Sequence, residues 1–351
     1  MPFKFTFVIF FILAIMFGLF LTLDRKSDST LLVSTSLITN KTVKSIPAST
    51  PQPFYDLTID FLRGRKYESR LGELQSVSSN GSYSSYVTHY LSDNLKINAL
   101  LTKPTGQMPE GGWPAIVFVH GYIPPTQYQT IGQAYSSYVD YLARNGFVVL
   151  KIDLRGHGSS EGEAGGAYYS SDYVIDTLNA YSALANTDFV NPKKIGLWGH
   201  SMAGNVVLRS FAAKVDIPAV AIWAGAGFTY LDLAEFGISD NSYRPPANNT
   251  KRQERRQLLR DTYGDPKDGN PFWQKVAPIY YVSDLKGAIS LYHATDDNVV
   301  NVEYSRNLSA ILDKTGVSHD INEYPSGGHN ISGANFTNAM QKTVEFFKNN
   351  L

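Results

Sequence analysis

An α/β fold with a mostly parallel central sheet and helices on both faces is what this sequence predicts. Short apolar runs at Pro114–Val119, Lys194–Trp198, Ala219–Gly225 and Ala288–Ala294, and the stretch Asp320–Pro325, read as strands. Between and after them, apolar residues recur at helical spacing near Ile131 to Asn145, Asp172 to Thr187, Met202 to Lys214, Glu303 to Thr315 and Ala334 to Asn349. Strands alternating with helices of that length make parallel crossover units, which cover both faces of the sheet. Loops at the carboxyl ends of such strands are where a site is expected.

Composition sets the outer bounds. The chain has 351 residues, 43% apolar and 18% charged, enough for one α/β domain with an inserted cap. Formal net charge is zero and the pI about 7.1, so no field favours nucleic acid. With no cysteine, a cysteine nucleophile, disulfides and thiolate metal sites are excluded. No internal repeat is visible. Phe5 to Leu23 is nearly continuous in apolar residues, with Lys4 before it and Arg25-Lys26 after it. At 1.5 Å per residue the run approaches a ~30 Å hydrocarbon core, and no small-x-small cleavage site follows it. Residues 1–23 are therefore expected to be an uncleaved, single-pass transmembrane anchor. The polar, Ser/Thr-rich stretch that follows, with Pro47, Pro51 and Pro53, reads as a stalk over 24–53. That arrangement is expected to hold the globular domain, residues 54–351, on the extracytoplasmic side of a membrane.

The densest chemical signal is Gly199-His200-Ser201-Met202-Ala203-Gly204. An apolar strand precedes it and a helical pattern follows, so Ser201 stands at a strand-to-helix turn between small residues, G-x-S-x-G with Ala203 in the second glycine's place. Small neighbours are needed because backbone passes close to backbone there. The serine then projects clear of the sheet, and the N-terminus of the next helix points toward the reacting atom.

A serine hydroxyl needs a base, and the base needs a carboxylate to fix its tautomer. In this arrangement the chain order is serine, acid, histidine, each in a loop after a strand. Ala288–Ala294 leads into Asp296 and Asp297, and Asp320–Pro325 leads into the glycine-rich loop Ser326-Gly327-Gly328-His329-Asn330. Of the seven histidines, only His329 follows the last strand. His120 and His157 lie in loop motifs, and His200 reads as the variable residue of the turn. Stabilising a developing oxyanion takes two backbone N–H groups. Met202, after the nucleophile, is one candidate, and Tyr122, in the loop His120-Gly121-Tyr122 after Pro114–Val119, is the other.

Together these residues resemble the α/β-hydrolase superfamily, and within it the catalytic domain of the prolyl oligopeptidase family and the dienelactone-hydrolase-like esterases. The resemblance runs from about Tyr83 to the C-terminus. It includes the hairpin Tyr90–Ile97 leading to Leu101–Pro104, and Asp153-Leu154-Arg155-Gly156-His157-Gly158-Ser159-Ser160. A related pattern, H-G-x-x-D-x-x-V, sets the acid four residues after a histidine, which selects Asp297 after His293 and leaves Asp296 as a loop residue. The resemblance implies a Ser201–Asp297–His329 triad acting through an acyl-enzyme on a small peptide or ester, with no metal or organic cofactor. Asp153 and Arg155 are expected to be structural.

The family's β-propeller is not expected between stalk and hydrolase, since only about 30 residues, Phe54 to Ser82, separate them. Substrate selection is therefore expected from a cap inserted at about 228–286. In that segment Phe228, Tyr230, Phe236, Tyr243, Phe272 and Trp273 are candidates to line an acyl or side-chain pocket, with simple packing as the commoner role of aromatics at such positions. Its basic run, Lys251–Arg260, reads as solvated charge on a helix, with a carboxylate clamp as the sharper alternative. Three readings of function compete: a prolyl-oligopeptidase-like serine peptidase, a carboxylesterase, and a non-catalytic binding module on a hydrolase scaffold. The sequence carries no signal for oligomeric state.

Overall fold

The computed structural model describes residues 52–239, 250–267 and 269–351. Their nine strands are β1 (Gln75–Ser79), β2 (Tyr83–Ser92), β3 (Leu95–Pro104), β4 (Trp113–Val119), β5 (Val148–Ile152), β6 (Val190–His200), β7 (Ala219–Trp223), β8 (Ala288–Ala294) and β9 (His319–Tyr324). They form one sheet in the order β1-β2-β3-β5-β4-β6-β7-β8-β9. The first three strands are antiparallel to their neighbours, and from β5 to β9 every pairing is parallel. The hairpin between β2 and β3 closes through Asp93 and Asn94, at φ 50° and 63°, a conformation those two residue types tolerate.

The helices are α1 (Ile59–Gly64), α2 (Ser136–Arg144), α3 (Asp172–Ala185), α4 (Ala203–Ala213), α5 (Tyr230–Phe236), α6 (Thr250–Tyr263), α7 (Pro271–Val276), α8 (Glu303–Leu312) and α9 (Ala334–Asn350). Because strand side chains alternate, each central strand feeds two cores. Val117, Leu150, Leu197, Ile222 and Leu291 face a core shared with α3, α4 and α8. Ile116, Phe118, Val149, Trp198 and Tyr292 face the other, with Tyr138 and Leu142 of α2 and Met340 and Phe347 of α9. Both faces are covered, as the unbroken apolar runs require.

Two sequence expectations differ in detail. The helix expected from Ile131 begins only at Ser136, because Tyr135 adopts a left-handed conformation (φ 62°) that breaks the spiral before it. The segment expected only to join stalk and hydrolase contributes α1, which buries Ile59 and Leu62, and the edge strand β1. All five residues of β1 are exposed, so no alternation of apolar residues announced it.

The expectation of a membrane protein is corrected. Among the described residues no helix is long and apolar enough to cross a membrane. The anchor at 1–23 and most of the stalk at 24–53 lie outside those residues. The single-pass anchor, the membrane partner and the extracytoplasmic placement have no support in the structure and are not carried further.

Arg155 and Asp153 sit just beyond β5. Arg155 is bound by the carboxylate of the fully buried Asp176 on α3, at 2.7 Å from Nη2 and 3.0 Å from Nε. It also meets Asp172 at 3.2 Å and Asp93 at 3.3 Å, so this loop is tied to α3 and to the β2–β3 turn.

Candidate active site

β6 ends at His200 and α4 begins at Ala203, which leaves Ser201 on the turn with φ 56°. A non-glycine residue with positive φ is uncommon and is held only where its surroundings over-determine it. Here the Ser201 N–H donates to Trp223 O at 2.9 Å, and Ser201 O accepts from Gly204 N–H at 2.9 Å and Ala226 N–H at 3.3 Å. Gly199 and Gly204 make the turn sterically possible. A Cβ at Gly199 would stand 2.8 Å from Ala203 O, and one at Gly204 would stand 2.7 Å from Gly225 Cα.

His329 lies in a short 3-10 turn, Gly328–Asn330, after β9. Its Nδ1 is 2.8 Å from Asp297 Oδ2. The carboxylate of Asp297 is fully enclosed: Oδ1 accepts from Val299 N–H at 2.8 Å and Val300 N–H at 3.0 Å, and Oδ2 is also 3.3 Å from His293 Nε2. Burial pushes its pKa up, but hydrogen bonds from His293 and His329 outweigh that and hold it well below the usual carboxylate range. Asp296 faces elsewhere, accepting from Gly328 N–H at 2.8 Å and Gly327 N–H at 3.2 Å, and so shapes the loop that presents His329. Tyr138 of α2 pins the same loop, its hydroxyl donating to Asn330 O at 2.7 Å.

Ser201, His329 and Tyr122 line one cavity of about 640 Å³. No hydrogen bond joins Ser201 and His329 in the free protein; catalytic contacts of this kind often close only when substrate is bound. The rest of the lining comes from Ile123, the 133–138 stretch, Val299 and the 330–336 stretch. Met202, only 8% exposed, stands directly after Ser201 at the start of α4.

Two residues that sequence reasoning passed over are built into this site. His200, read as variable, is 2% exposed and bonded through both ring nitrogens: Nδ1 to the hydroxyl of Tyr135 at 2.8 Å and Nε2 to the main-chain oxygen of His329 at 2.8 Å. Burial lowers its pKa to about 3, so the ring is neutral. The Tyr135 hydroxyl also accepts from Gly121 N–H at 2.9 Å. No sequence signal marks these contacts, since Tyr135 and Gly121 are brought together only by the packing of α2 and its leading residue on the sheet.

Of the residues in 228–286 that the structure describes, none lines the cavity. Their aromatics pack instead. Tyr230, Phe272 and Trp273 join Leu57 and Leu259 in a separate cluster, with the Tyr263 and Phe272 rings stacked at 3.7 Å. Phe228 is buried in the main core and Phe236 packs on Tyr304 at 5.5 Å; Tyr243 lies outside the described residues. In the basic run, Arg255 pairs with Asp56 at 2.6 Å and Arg256 lies over the Tyr169 ring at 4.5 Å. Those arginines serve to dock α6, and a carboxylate clamp at the cavity is not seen.

The sequence model of the prolyl oligopeptidase family matches residues 133–351, more than half of the chain. The protein belongs to the prolyl oligopeptidase family. Mouse and human dipeptidyl peptidase 8 are each 24% identical to it over 240 residues, 66% of this chain and 25% and 24% of theirs. The chain thus spans about a quarter of the length of these curated relatives. Among solved structures, the Pyrococcus horikoshii acylaminoacyl peptidase aligns at TM-score 0.60 and 20% identity, over 78% of this chain and 44% of its own. An acetyl xylan esterase from Paenibacillus aligns at TM-score 0.60 and 18% identity, over 82% and 91%. At those identities the likeness is one of fold. The likeness of fold thus extends to both a peptidase and an esterase, while the family model places residues 133–351 in the prolyl oligopeptidase family.

Proposed function

We propose that the protein cleaves amide or ester bonds by acyl transfer through Ser201. The observation that carries this reading is the 2.8 Å contact between His329 and Asp297 at the rim of the cavity that also holds Ser201. Asp297 accepts the Nδ1–H of His329, which leaves Nε2 as the free base facing the cavity. Ser201 Oγ attacks the substrate carbonyl while Nε2 takes its proton, and the ionised Asp297 stabilises the imidazolium. The N–H groups of Tyr122 and Met202 receive the oxyanion. His329 then protonates the departing amine or alcohol, and water enters by the same route to release the acyl group.

For the leaving group, the family membership and the likeness to dipeptidyl peptidase 8 favour an amine, making the protein a serine peptidase of short peptides. A carboxylesterase is the second reading. What favours it is the cavity lining, which among the described residues holds aromatic, aliphatic and small polar residues with His200 and His329, but no Asp, Glu, Lys or Arg. A charged peptide terminus finds no ionic partner there. A fluorophosphonate probe should label the wild type at Ser201 only, and Ser201→Ala should lose labelling and turnover together. Comparing aminoacyl arylamides with short acyl esters then decides between the two leaving groups. Undiminished turnover in Ser201→Ala would end the proposal.

A further inference from the structure

We infer that Tyr135 and His200 form a hydrogen-bond relay that positions the oxyanion loop and the base of this site as one unit. The inference rests on the acyl-transfer reading for what those loops do, while the bonds themselves are independent of it.

Donor and acceptor chemistry fixes every proton in the relay. Gly121 N–H can only donate, so the Tyr135 oxygen accepts it at 2.9 Å. His329 O, at 2.8 Å, can only accept from Nε2, so in the neutral ring Nδ1 is the unprotonated nitrogen and receives the Tyr135 hydroxyl proton at 2.8 Å. Buried neutral chains in which every member has its partner rigidify what they join.

What they join are the segments that carry Tyr122, Ser201 and His329. Gly121 immediately precedes Tyr122, the candidate oxyanion donor, and a Cβ at Gly121 would lie 2.7 Å from the Tyr135 hydroxyl and 3.1 Å from His200 Nδ1. His200 immediately precedes Ser201. At the far end the relay grips the main chain of His329, while Asp297 grips its Nδ1. The His200 and His329 rings lie 4.6 Å apart, so the base is held by its backbone, its Nδ1 and one ring face. Three loops from different strands thus share one chain of bonds, and a shift at one is felt at the others. Tyr135 reaches this place because its left-handed backbone starts α2 with the side chain turned back toward β4, its ring packed on Phe118 at 5.5 Å.

The test uses the full chain and 4-nitrophenyl acetate. Tyr135→Phe keeps the ring in the cavity wall and removes only the bridging hydroxyl; His200→Phe keeps a ring and removes both bonds. Each should lower kcat about tenfold or more, within the range for a small misplacement of reacting groups, with KM changed less than about twofold. The double variant should fall no further than the worse single one, as members of one unit do. His200→Gln returns an N–H near the Nε2 position and should recover most of the lost kcat. Single variants within about twofold of wild-type kcat, or losses that multiply in the double variant, would overturn the relay. A readout free of activity is the imidazole nitrogen spectrum of ¹⁵N-labelled wild type. His200 should appear as the Nε2–H tautomer and stay so between about pH 5 and pH 9. An Nδ1–H tautomer, or titration in that window, defeats the relay even if the protein turns over no ester. A silent wild type with the expected His200 spectrum would count against the acyl-transfer reading alone.

Discussion

Ser201 at φ 56° and Tyr135 at φ 62° are both non-glycine residues in a sparsely populated region, each costing about 1–3 kcal/mol. Tyr135 is held by its bond to His200, and Ser201, next to His200 in the chain, by its bonds to Trp223, Gly204 and Ala226. His200 also gives the protein an acid-sensitive point. Its pKa falls from 6.5 to about 3 in the fold because burial disfavours the imidazolium. The unfolded chain therefore binds the extra proton between those values, so the stability this group contributes is lost as pH falls from about 6.5 toward 3. His120, buried and likewise lowered to about 3, acts in the same direction. Asp153 opposes them: burial raises its pKa from 3.8 to about 6, so its contribution is lost as pH rises through that window. His200→Gln should flatten the acid limb of the stability curve by up to about 1.4 kcal/mol per pH unit, read by urea unfolding from neutral pH downward. An unchanged slope would mean that His200 is protonated in the folded state.

At the level of elements, the loop after β5 and helix α3 are joined by an ion pair that water barely reaches. Asp176 accepts from Arg155 Nη2 and Nε, from Arg155 N–H at 2.9 Å and from the Ser92 hydroxyl at 2.7 Å. Burial pushes its pKa up, and Arg155 pulls it back. Such a pair is weak evidence of net stability, yet removing one partner strands the other charge. Asp176→Ala should therefore lower unfolding free energy by about 3–5 kcal/mol. Neither residue touches the cavity, so KM of the folded enzyme should stay as in wild type. A stability loss below about 1 kcal/mol would show that Asp93 and Asp172 suffice to hold Arg155.

Across the whole molecule, the cavity belongs to the loops around α2 and the start of α9, while the 228–286 segment builds a separate apolar cluster against the residues near Leu57. Selection by the first region and stability from the second is the division expected. Phe336→Ala opens the cavity wall and should change KM across an ester series of increasing acyl size. Trp273→Ala, at a residue 3% exposed, should cost about 3–5 kcal/mol of stability with the order of KM values preserved. If the Trp273 variant reorders the esters while Phe336→Ala does not, the cap segment selects substrate after all.

The sequence by itself determined what short-range chemistry can specify. The small residues around Ser201, the apolar runs of the central strands and the glycines beside His329 each dictate their own local geometry, and the candidate acid and base follow the last two strands in chain order. Asp297, rather than Asp296, meets the imidazole because a turn closed by Val299 and Val300 aims it there, a turn foreshadowed by its spacing from His293. Only the tertiary structure decided which aromatics line the cavity and which merely pack, because Tyr135, Phe336 and Trp273 are alike in composition and differ only in which element covers them. It also decided the part played by His200, whose partners lie 65 and 129 residues away in the chain. Contacts at that separation are set by strand order and helix docking, and no spacing within the sequence encodes them.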